Sequence, residues 1–224
     1  KILSYMEIGR GEGAKMLIGG GPAKPSRMQY AFFTNALPLQ SLLHLCCCHP
    51  HLCIPTAAFY FLPSVIRLYN ERYPKIRIRL LDLSANEGLE AVLRGEADFG
   101  INMMSGQHPD IEFVPLVNEP FVLACRRDHE LAGRSAVTWS ELSDYRLIGV
   151  GRLSGNRMLL DHALSGLSWR PQWFYEVQHL STSLGMVEAG LGLAAVPRLA
   201  LSPAHAALVG VALRGPVVSR ELGL

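Results

Sequence analysis

The stretch 184–197 constrains the fold of this chain more than any other part of the sequence. An apolar helix face runs into Gly190, and glycine suits the left-handed position that ends many helices because it has no Cβ to clash. After Gly192, the apolar residues 193–196 predict a buried strand, and Pro197 ends it with a φ suited to opening another helix. The order helix, glycine, strand and proline predicts an α/β fold of the kind that binds ligands.

Composition predicts a globular chain that has no strong attraction for nucleic acid over most of its length. Apolar residues make up 49% and charged residues 18% of the 224 positions, a balance that suits one domain or two small lobes. Residues 1–53 hold five Lys/Arg and two Glu, which leaves 16 basic and 17 acidic side chains in 54–224. Without a basic surplus there, DNA binding is expected only through a domain that this chain lacks.

Neither a membrane segment nor a secretion signal is predicted. Polar residues interrupt the apolar stretch 31–48, and acidic residues stand where a signal peptide would turn apolar. Four of the five cysteines lie within 46–53, too close in sequence for good disulfide pairing, which favours a reducing, cytoplasmic setting. The cysteines and histidines between His44 and Cys53 resemble zinc ligands but lack paired ligands at fixed gaps. We therefore expect no functional metal site and no cofactor.

Periodic patterns begin at Ile54. Residues 1–53 contain glycine-rich turns and no sustained period, and predict a leader without a helix-turn-helix. From Ile54 onward, strands alternate with helices, which predicts an α/β chain with mainly parallel sheets. A helix is predicted from Pro55 to Tyr73 with a kink or a late start at Pro63, and Thr138-x-x-Glu141 predicts a capping box. The strands are predicted at 76–80, 97–101, 111–116, 120–125, 146–150, 172–177, 193–196, 208–213 and 217–222.

The sequence contains no motif of a catalytic nucleophile or metalloprotease, so no catalytic residue is predicted and the chain is not expected to be an enzyme. Cys125 lies in an apolar strand, where a buried small hydrophobe is the simpler interpretation. Gly149 and Gly151 come close to a dinucleotide fingerprint, but Ser154 replaces the third glycine and Arg152 adds bulk. A small nucleotide-dependent enzyme stays open as one alternative.

Three hydroxyl-bearing helix starts point to a pocket. Thr56, Ser154 and the run Ser181-Thr182-Ser183 each begin a predicted helix that follows a strand. Each of them alone is typical of an ordinary N-cap. Together they can converge at the carboxyl ends of the strands, which predicts a small polar or anionic ligand between two lobes.

Several ordered stretches resemble the effector domain of LysR-type transcriptional regulators. They extend from Ile54 to Leu222 and comprise 54–56 with 62–63, 72–74, 94–101, 120–124 with 128–129, and 187–197 with the serines and threonine just upstream. The resemblance implies a type II periplasmic-binding-protein-like α/β fold, in which two lobes are joined by two crossover strands, near 119–123 and 199–208. Lobe I would comprise 54–120 and 206–224, and lobe II would comprise 121–205.

The resemblance also implies a site and a function. In the family the effector lies in the cleft between the lobes, and the matching positions here are Pro55, Thr56, Ala57, Asn102, Met103, Ser154, Gly155, Asn156, Ser181, Thr182 and Ser183. The chain would sense a small polar or anionic effector, form homodimers or, in the intact regulator, tetramers, and act on transcription through a separate DNA-binding domain. A solute-binding protein of a transporter has the same fold and is the second alternative, against which the missing signal peptide argues.

Two departures from the family pattern lead to further expectations. The first strand of lobe I should end just before Ile54, where this chain has Cys-Cys-Cys-His-Pro-His, and Pro50 cannot donate a hydrogen bond in a central strand. The last helix of the family should follow Leu222, close to the end of the sequence. We therefore expect an effector domain that is cut at both ends, with a foreign leader and an uncovered sheet edge.

Overall fold

The computed structural model describes residues 15–16, 33–34, 51–74, 77–97, 99–103, 108–202 and 205–224. The strands are β1 (Lys15–Met16), β2 (Phe33–Thr34), β3 (His51–Cys53), β4 (Leu80–Asp82), β5 (Gly100–Met103), β6 (Pro115–Arg126), β7 (Ala136–Thr138), β8 (Leu147–Val150), β9 (Trp173–Val177), β10 (Ala194–Pro197), β11 (Leu208–Arg214) and β12 (Ser219–Gly223). The helices are α1 (Pro55–Tyr60), α2 (Leu62–Arg72), α3 (Ala85–Leu93), α4 (Gly155–Ala163) and α5 (Leu180–Glu188), with 3₁₀ turns at Ser140–Asp144 and Arg198–Ala200. Apart from β1, β2 and β3, the predicted leader 1–53 lies outside the described residues.

The expected loss of the first strand is wrong. β3 lies between β4 and β5 and pairs in parallel with both. Leu52 and Cys53 are buried, as a strand in the middle of a sheet requires. Pro50, on which the expectation depended, lies outside the described residues, and the strand begins after it at His51.

Two glycines make room for Leu52 in this central strand. A Cβ on Gly100 would lie 2.5 Å from the Leu52 side chain, and a Cβ on Gly88 in α3 would lie 2.7 Å from it. Both distances are shorter than van der Waals contact, so the leucine fits only because neither neighbour has a side chain. These glycines fix how closely α3 packs on the sheet.

The predicted interruption of this helix near Pro63 is confirmed. The helix predicted from Pro55 to Tyr73 is two helices, α1 and α2, which meet at Phe61. Pro63 is in the first turn of α2, where its missing N–H costs no hydrogen bond within that helix.

β6 is a single strand of 12 residues where two strands were predicted at 111–116 and 120–125. Its first half pairs antiparallel with β12, and its second half pairs antiparallel with β10 and β11. Pro120 lies where the partners change, and the next residue, Phe121, donates its N–H to Val218 O at 2.8 Å. Because proline has no N–H, it is tolerated at this changeover. β6 is thus the first crossover between lobes, as predicted near 119–123.

The second crossover lies later in the chain than predicted. β11 pairs with the second half of β6 and, in parallel, with β7. Residues 208–214 therefore lie in lobe II and not, as expected, in lobe I. The chain returns through 215–218 into β12, which pairs antiparallel with β5 and β6. The second crossover predicted at 199–208 is therefore wrong. The position of this crossover depends on pairing between strands that are distant in sequence, which the local pattern does not reveal.

The sheets are mixed. The order of the large sheet is β4-β3-β5-β12-β6-β11-β7, with β10 also on β6. Its parallel pairs are β3–β4, β3–β5 and β7–β11, whereas every pairing of β6 is antiparallel. A separate parallel pair, β8–β9, completes lobe II. The sheets are less parallel than predicted because both crossover strands run through them.

The stretch 184–197 folds as predicted. α5 ends at Glu188, and Gly190 takes the left-handed conformation with φ of 75°. A Cβ on Gly192 would collide with the backbone carbonyl of Arg146, so this second glycine is required by close packing. β10 follows, and Pro197 leads into a short 3₁₀ turn.

The predicted capping box is half formed. Glu141 Oε2 accepts hydrogen bonds from the Thr138 N–H at 2.7 Å and from the Thr138 hydroxyl at 2.8 Å. The 3₁₀ helix begins at Ser140, and its cap residue, Trp139, makes no side-chain capping bond. The bond from the Thr138 N–H, a bond from Arg134 Nη2 to Oε1 at 2.8 Å and the Thr138 hydroxyl together lower the pKa of Glu141 to about 2.

Candidate functional site

The first predicted site segment lies at the start of α1. Ile54 N–H donates to Ile101 O at 3.0 Å, which holds the end of β3 beside β5. Pro55 is exposed, Ala57 is buried, and Thr56 is only 6% exposed. The Thr56 hydroxyl oxygen is buried and has no hydrogen-bond partner among the described residues. A buried polar atom without a partner is costly, and it suggests that something else provides the bond.

The second segment, Asn102 and Met103, ends β5. Asn102 Nδ2 donates to Ala85 O at 2.8 Å, and its Oδ1 accepts the Met103 N–H at 2.8 Å. Asn102 is thus used within lobe I, where it ties the end of β5 to the start of α3. Of these two residues, Met103 is therefore the one whose side chain contacts lobe II.

The third segment lies at the start of α4, in lobe II. Ser154 precedes the helix but makes no side-chain capping bond, so the interpretation of Ser154 as an ordinary N-cap is not supported. Gly155 packs against Met103, whose Cε lies 3.4 Å from the place of a Gly155 Cβ. Asn156 Oδ1 accepts a hydrogen bond from Arg220 Nη1 at 3.0 Å. The structure therefore brings the second and third segments together across the two lobes.

Arg220 is a site residue that the sequence analysis missed. It lies on β12, directly across from Glu119 on β6, and is 2% exposed. Arg220 Nε donates to Glu119 Oε2 at 2.7 Å, while Glu119 Oε1 accepts the Leu199 N–H. In β12 the buried residues are Arg220, Leu222 and Gly223, whereas Ser219 and Glu221 are exposed. An arginine at an inward position of an alternating strand was the available signal.

Burial and the carboxylate have opposite effects on this arginine. Desolvation lowers the pKa of Arg220 most strongly, and the neighbouring Glu119 carboxylate acts in the opposite direction. Arg220 Nη2 also lies 2.7 Å from Glu119 Oε2, so the two buried side chains form a close ion pair. The Thr56 hydroxyl, by contrast, is buried and has no hydrogen-bond partner in the described part of the chain.

The predicted segment Ser181–Ser183 is less closely connected to the other predicted site residues. α5 begins at Leu180, with His179 as its cap, so these residues lie inside the first turns rather than at the cap. Ser181 and Thr182 are exposed, and Ser183 is buried with its N–H donating to His179 O at 3.2 Å. The hydrogen bonds of the described residues do not connect this segment to the other predicted site residues.

A second set of polar contacts joins α1 to lobe II. His205 Nδ1 lies 2.8 Å from Glu188 Oε1 at the end of α5, and the Tyr60 hydroxyl lies 3.5 Å from His205 Nε2. Burial, followed by the Glu188 charge, raises the pKa of Tyr60. Tyr60 and Arg220 thus mark two places where the lobes meet.

The surroundings of Gly149 do not support the alternative of a nucleotide-dependent enzyme. A Cβ on Gly149 would lie 2.7 Å from the Trp173 indole, so this glycine is explained by the ring packed on it. Arg157, in the first turn of α4, stacks on the same ring with its guanidinium carbon 4.8 Å from the ring centroid. Packing against Trp173 thus explains the glycine at this position without a nucleotide.

The thiols do not resemble nucleophiles. Cys53 and Cys125 are buried and unpaired with any other cysteine. Burial, with a smaller effect of Asp82, raises the pKa of Cys53 to about 11, and burial also raises the pKa of Cys125. Reactive cysteines have lowered pKa values. Among the described residues no cluster of His, Cys, Asp or Glu is arranged to hold a metal, and His44 to Cys48 lie outside them.

No helix in the described ranges is both long and apolar enough to cross a membrane.

Comparison with known proteins gives one family. The model of the LysR substrate binding domain matches residues 52–224. The HTH-type transcriptional regulator YbhD of Escherichia coli K12 is 54% identical over 173 residues, which are 77% of this chain and 55% of YbhD. YfeR of Shigella flexneri, also named an HTH-type transcriptional regulator, is 33% identical over 169 residues, 75% of this chain and 55% of YfeR. The chain spans about half the length of these curated relatives.

Solved structures agree in fold. The reduced form of OxyR is similar with a TM-score of 0.64 and 26% identity, covering 78% of this chain and 83% of that one. The CcmR regulatory domain of Synechocystis PCC6803 in complex with 2-PG gives a TM-score of 0.68 at 21% identity, covering 78% of this chain and 85% of that one. The effector binding domain of QuiR in complex with shikimate gives 0.66 at 20% identity, covering 78% and 84%. The type II periplasmic-binding-protein-like fold predicted from the sequence is confirmed.

Proposed function

Because the chain belongs to the family of LysR substrate-binding domains, we propose that it is the effector-sensing part of a bacterial transcription regulator. The observation that carries the proposal is the Thr56 hydroxyl, a buried polar atom without a hydrogen-bond partner among the described residues. Arg220 contacts Met103 and Asn156, one residue from each lobe. A buried polar group without a partner near the junction of two lobes is what a bound small molecule would satisfy.

The proposed binding site combines residues from both lobes. We place Thr56, Ala57 and Met103 on the lobe I side and Ser154, Gly155 and Asn156 on the lobe II side. Asn102 would hold Met103 in position, since both ends of its amide are already bonded. Pro55, Ser181 and Thr182 are exposed and Ser183 is buried, so we assign them a part only in a more closed arrangement of the lobes.

Effector binding would act by changing how the lobes sit together. The lobes touch through Met103 and Gly155, through Arg220 and Asn156, and through Tyr60 and His205. A ligand that bonds groups of both lobes stabilises the closed arrangement over the open one in proportion to its difference in affinity. In the intact regulator this shift would be passed through homodimers or tetramers to DNA-binding domains that lie elsewhere in the protein.

Related proteins support the small-molecule part of the proposal. 2-PG and shikimate are bound by two domains of the same fold, and we propose a small polar or anionic effector here. The relatives YbhD and YfeR are named transcriptional regulators, which favours regulation over the transporter alternative and over an enzyme. A regulator of bacterial transcription works in the cytoplasm, where we place this protein.

The proposal is tested in two steps. Small organic molecules are screened for those that raise the melting temperature of this chain, and the intact regulator is then footprinted on its promoter with and without the best ligand. We expect the ligand to change the length or affinity of the footprint. A ligand that binds the chain but leaves the footprint unchanged would contradict regulation, and it would favour the solute-binding alternative.

A further inference from the structure

The two connections between the lobes lie side by side at one buried ion pair. Glu119 is on β6, one residue before the point where this strand changes partners, and Arg220 is on β12, just after the return through 215–218. The two residues are direct cross-strand partners and are 5% and 2% exposed. Arg220 Nε and Nη2 both lie 2.7 Å from Glu119 Oε2. Their opposite charges therefore balance each other at the junction of the lobes.

The carboxylate of this pair also contacts lobe II. While Glu119 Oε2 faces the arginine, its Oε1 accepts the Leu199 N–H. Leu199 belongs to the 3₁₀ turn that follows β10, and β10 pairs with the second half of β6. A hydrogen bond to a charged acceptor is stronger than one to a neutral carbonyl. The carboxylate is thus a first link from the ion pair to lobe II.

The guanidinium of the pair makes a second link to lobe II. Arg220 Nη1 donates to Asn156 Oδ1 at 3.0 Å, and Asn156 is in the first turn of α4. The same nitrogen lies 3.7 Å from Met103 Sδ at the end of β5 in lobe I. Since β12 pairs with β5 and with the first half of β6, the arginine is held by lobe I while it bonds the start of a lobe II helix.

Two links at separate points restrain rotation, whereas a single link would act as a pivot. Leu199 and Asn156 lie in different elements of lobe II, so a rotation of this lobe about β6 lengthens at least one of the two bonds. Lengthening either bond leaves a buried charged group with one partner fewer, which is costly where water does not reach. Another polar contact between the lobes, from the Tyr60 hydroxyl to His205 Nε2, is longer at 3.5 Å.

We propose that the Glu119–Arg220 pair is a tether that sets the angle between the lobes in the ligand-free protein, with Asn156 as the point at which it holds α4. This is a positioning role, and it requires no contact between the pair and a ligand. A buried ion pair adds little stability compared with apolar residues of the same size, but it can select one arrangement of the chain over others. The tether is such a case, because its bonds extend to both lobes.

The test measures the distance between the lobes in the 224-residue chain without ligand. Spin labels are attached to Glu90→Cys in α3 of lobe I and His162→Cys in α4 of lobe II, two exposed positions. The cysteines at 46–48 are first replaced by serine, and Cys53 and Cys125 are buried. Double electron–electron resonance then gives the distribution of distances between the labels. An excess of unlabelled chain keeps distances between different copies out of the signal.

Variants of Asn156 change the end of the tether and leave the buried pair intact. Asn156→Ala removes the acceptor of Arg220, so we expect a broader distribution whose mean shifts by about 2 Å or more, the scale of helix shifts in switching proteins. Asn156→Asp offers a charged acceptor in the first turn of a helix, where negative charge is favoured, and should keep the wild-type mean and width. Asn118→Ala, at an exposed asparagine of β6, is the matched control and should change neither.

Arg220→Lys tests the pair itself. Lysine keeps the positive charge beside Glu119 but lacks the forked donors that bond two acceptors at once, so this variant should resemble Asn156→Ala. Circular dichroism checks that it folds, and the Asn156 variants decide the question if it does not. An Asn156→Ala chain with the wild-type distribution would overturn the tether, because the bond to α4 would then impose no restraint on the lobes.

A regulatory consequence of the tether rests on the effector-sensing function proposed above. In the intact regulator, Asn156→Ala should change the promoter footprint without any ligand, because the angle between the lobes is no longer held. A changed distance with an unchanged footprint would support the tether and contradict the transmission of lobe movement to DNA, which belongs to the proposed function. An unchanged distance would overturn the tether and leave that function standing.

Discussion

Thr56 combines two properties that rarely occur together at one residue. It is 6% exposed, and its hydroxyl oxygen has no hydrogen-bond partner among the described residues. Its position at the start of a helix after a strand was sufficient to select it from the sequence. Its burial, which separates it from the exposed Thr182, could not be foreseen, because it depends on how α1 packs against the sheet.

We predict that Thr56→Val raises the stability of the ligand-free chain by about 1 kcal/mol, because the buried hydroxyl is replaced by a methyl group of similar shape. The same variant should weaken effector binding, since the site that we propose includes the Thr56 hydroxyl. Urea unfolding measures the first effect and calorimetry the second. Thr182→Val, exposed on α5, should leave stability unchanged. A loss of stability in Thr56→Val would mean that the hydroxyl has a partner in solution.

The buried Cys53 thiol makes the stability of the chain depend on pH in the alkaline range. Its thiol titrates near 9.0 in the unfolded chain and at about 11 when buried in β3. Below pH 9 the Cys53 thiol keeps its proton in both the folded and the unfolded chain, so its burial contributes fully to stability. As the pH rises from 9 to about 11, the unfolded state loses its proton first, so stability falls, by on the order of 1–2 kcal/mol.

Urea unfolding of the wild type and Cys53→Ala between pH 8 and pH 11 measures this contribution. The variant is expected to be less stable at pH 8 because it leaves a small cavity. Its stability should then decline less steeply than that of the wild type. Parallel decline of the two proteins would assign the alkaline loss to other groups, such as Tyr60, whose pKa is also raised.

At the scale of elements, the connection from α5 to β10 is the part of the fold most completely encoded by local sequence. Gly190 provides a left-handed residue and Gly192 a close approach to the Arg146 carbonyl. The alternation of glycine and apolar residues predicted the helix end and the strand. The reason for Gly192 itself, the backbone of a strand start 46 residues earlier, could not be predicted, because Arg146 is not a local neighbour.

We predict opposite effects for alanine at two glycines of this region. Gly192→Ala should destabilise the chain by about 2 kcal/mol or more, because the new Cβ collides with backbone that cannot move aside easily. Gly185→Ala should stabilise it by up to about 1 kcal/mol, since Gly185 lies within α5 with open space around its Cα. Thermal and urea unfolding compare the two, and equal effects of the same sign would contradict the packing described for Gly192.

At the scale of the whole molecule, β6 holds the lobes together. β6 pairs with β12 in one lobe and with β10 and β11 in the other, so its continuity fixes how the lobes are joined. β3 has a comparable role within lobe I, where it lies between β4 and β5. Removing either strand would leave the hydrogen bonds of its neighbours unmade.

We predict that a chain beginning at residue 49 folds and that a chain beginning at residue 54 does not. The shorter chain lacks β3, so β4 and β5 lose the strand between them, and the buried Leu52 and Cys53 are missing from the core. Light scattering and circular dichroism of the two purified chains measure the difference. A soluble, cooperatively unfolding chain from residue 54 would mean that β3 is dispensable and that the boundary predicted at residue 53 is the right one.

Local sequence determined the alternation of strands and helices, the break at Pro63, the turn at Gly190 and the resemblance to a known family. These features depend on residues within a few positions of one another, where periodicity and backbone preference act. Tertiary structure alone decided that β3 is a central strand, that β6 is continuous and that the chain returns at 215–218. It also decided the ion pair of Glu119 and Arg220, which are 101 residues apart, because partners so distant in sequence are brought together only when the strands pair.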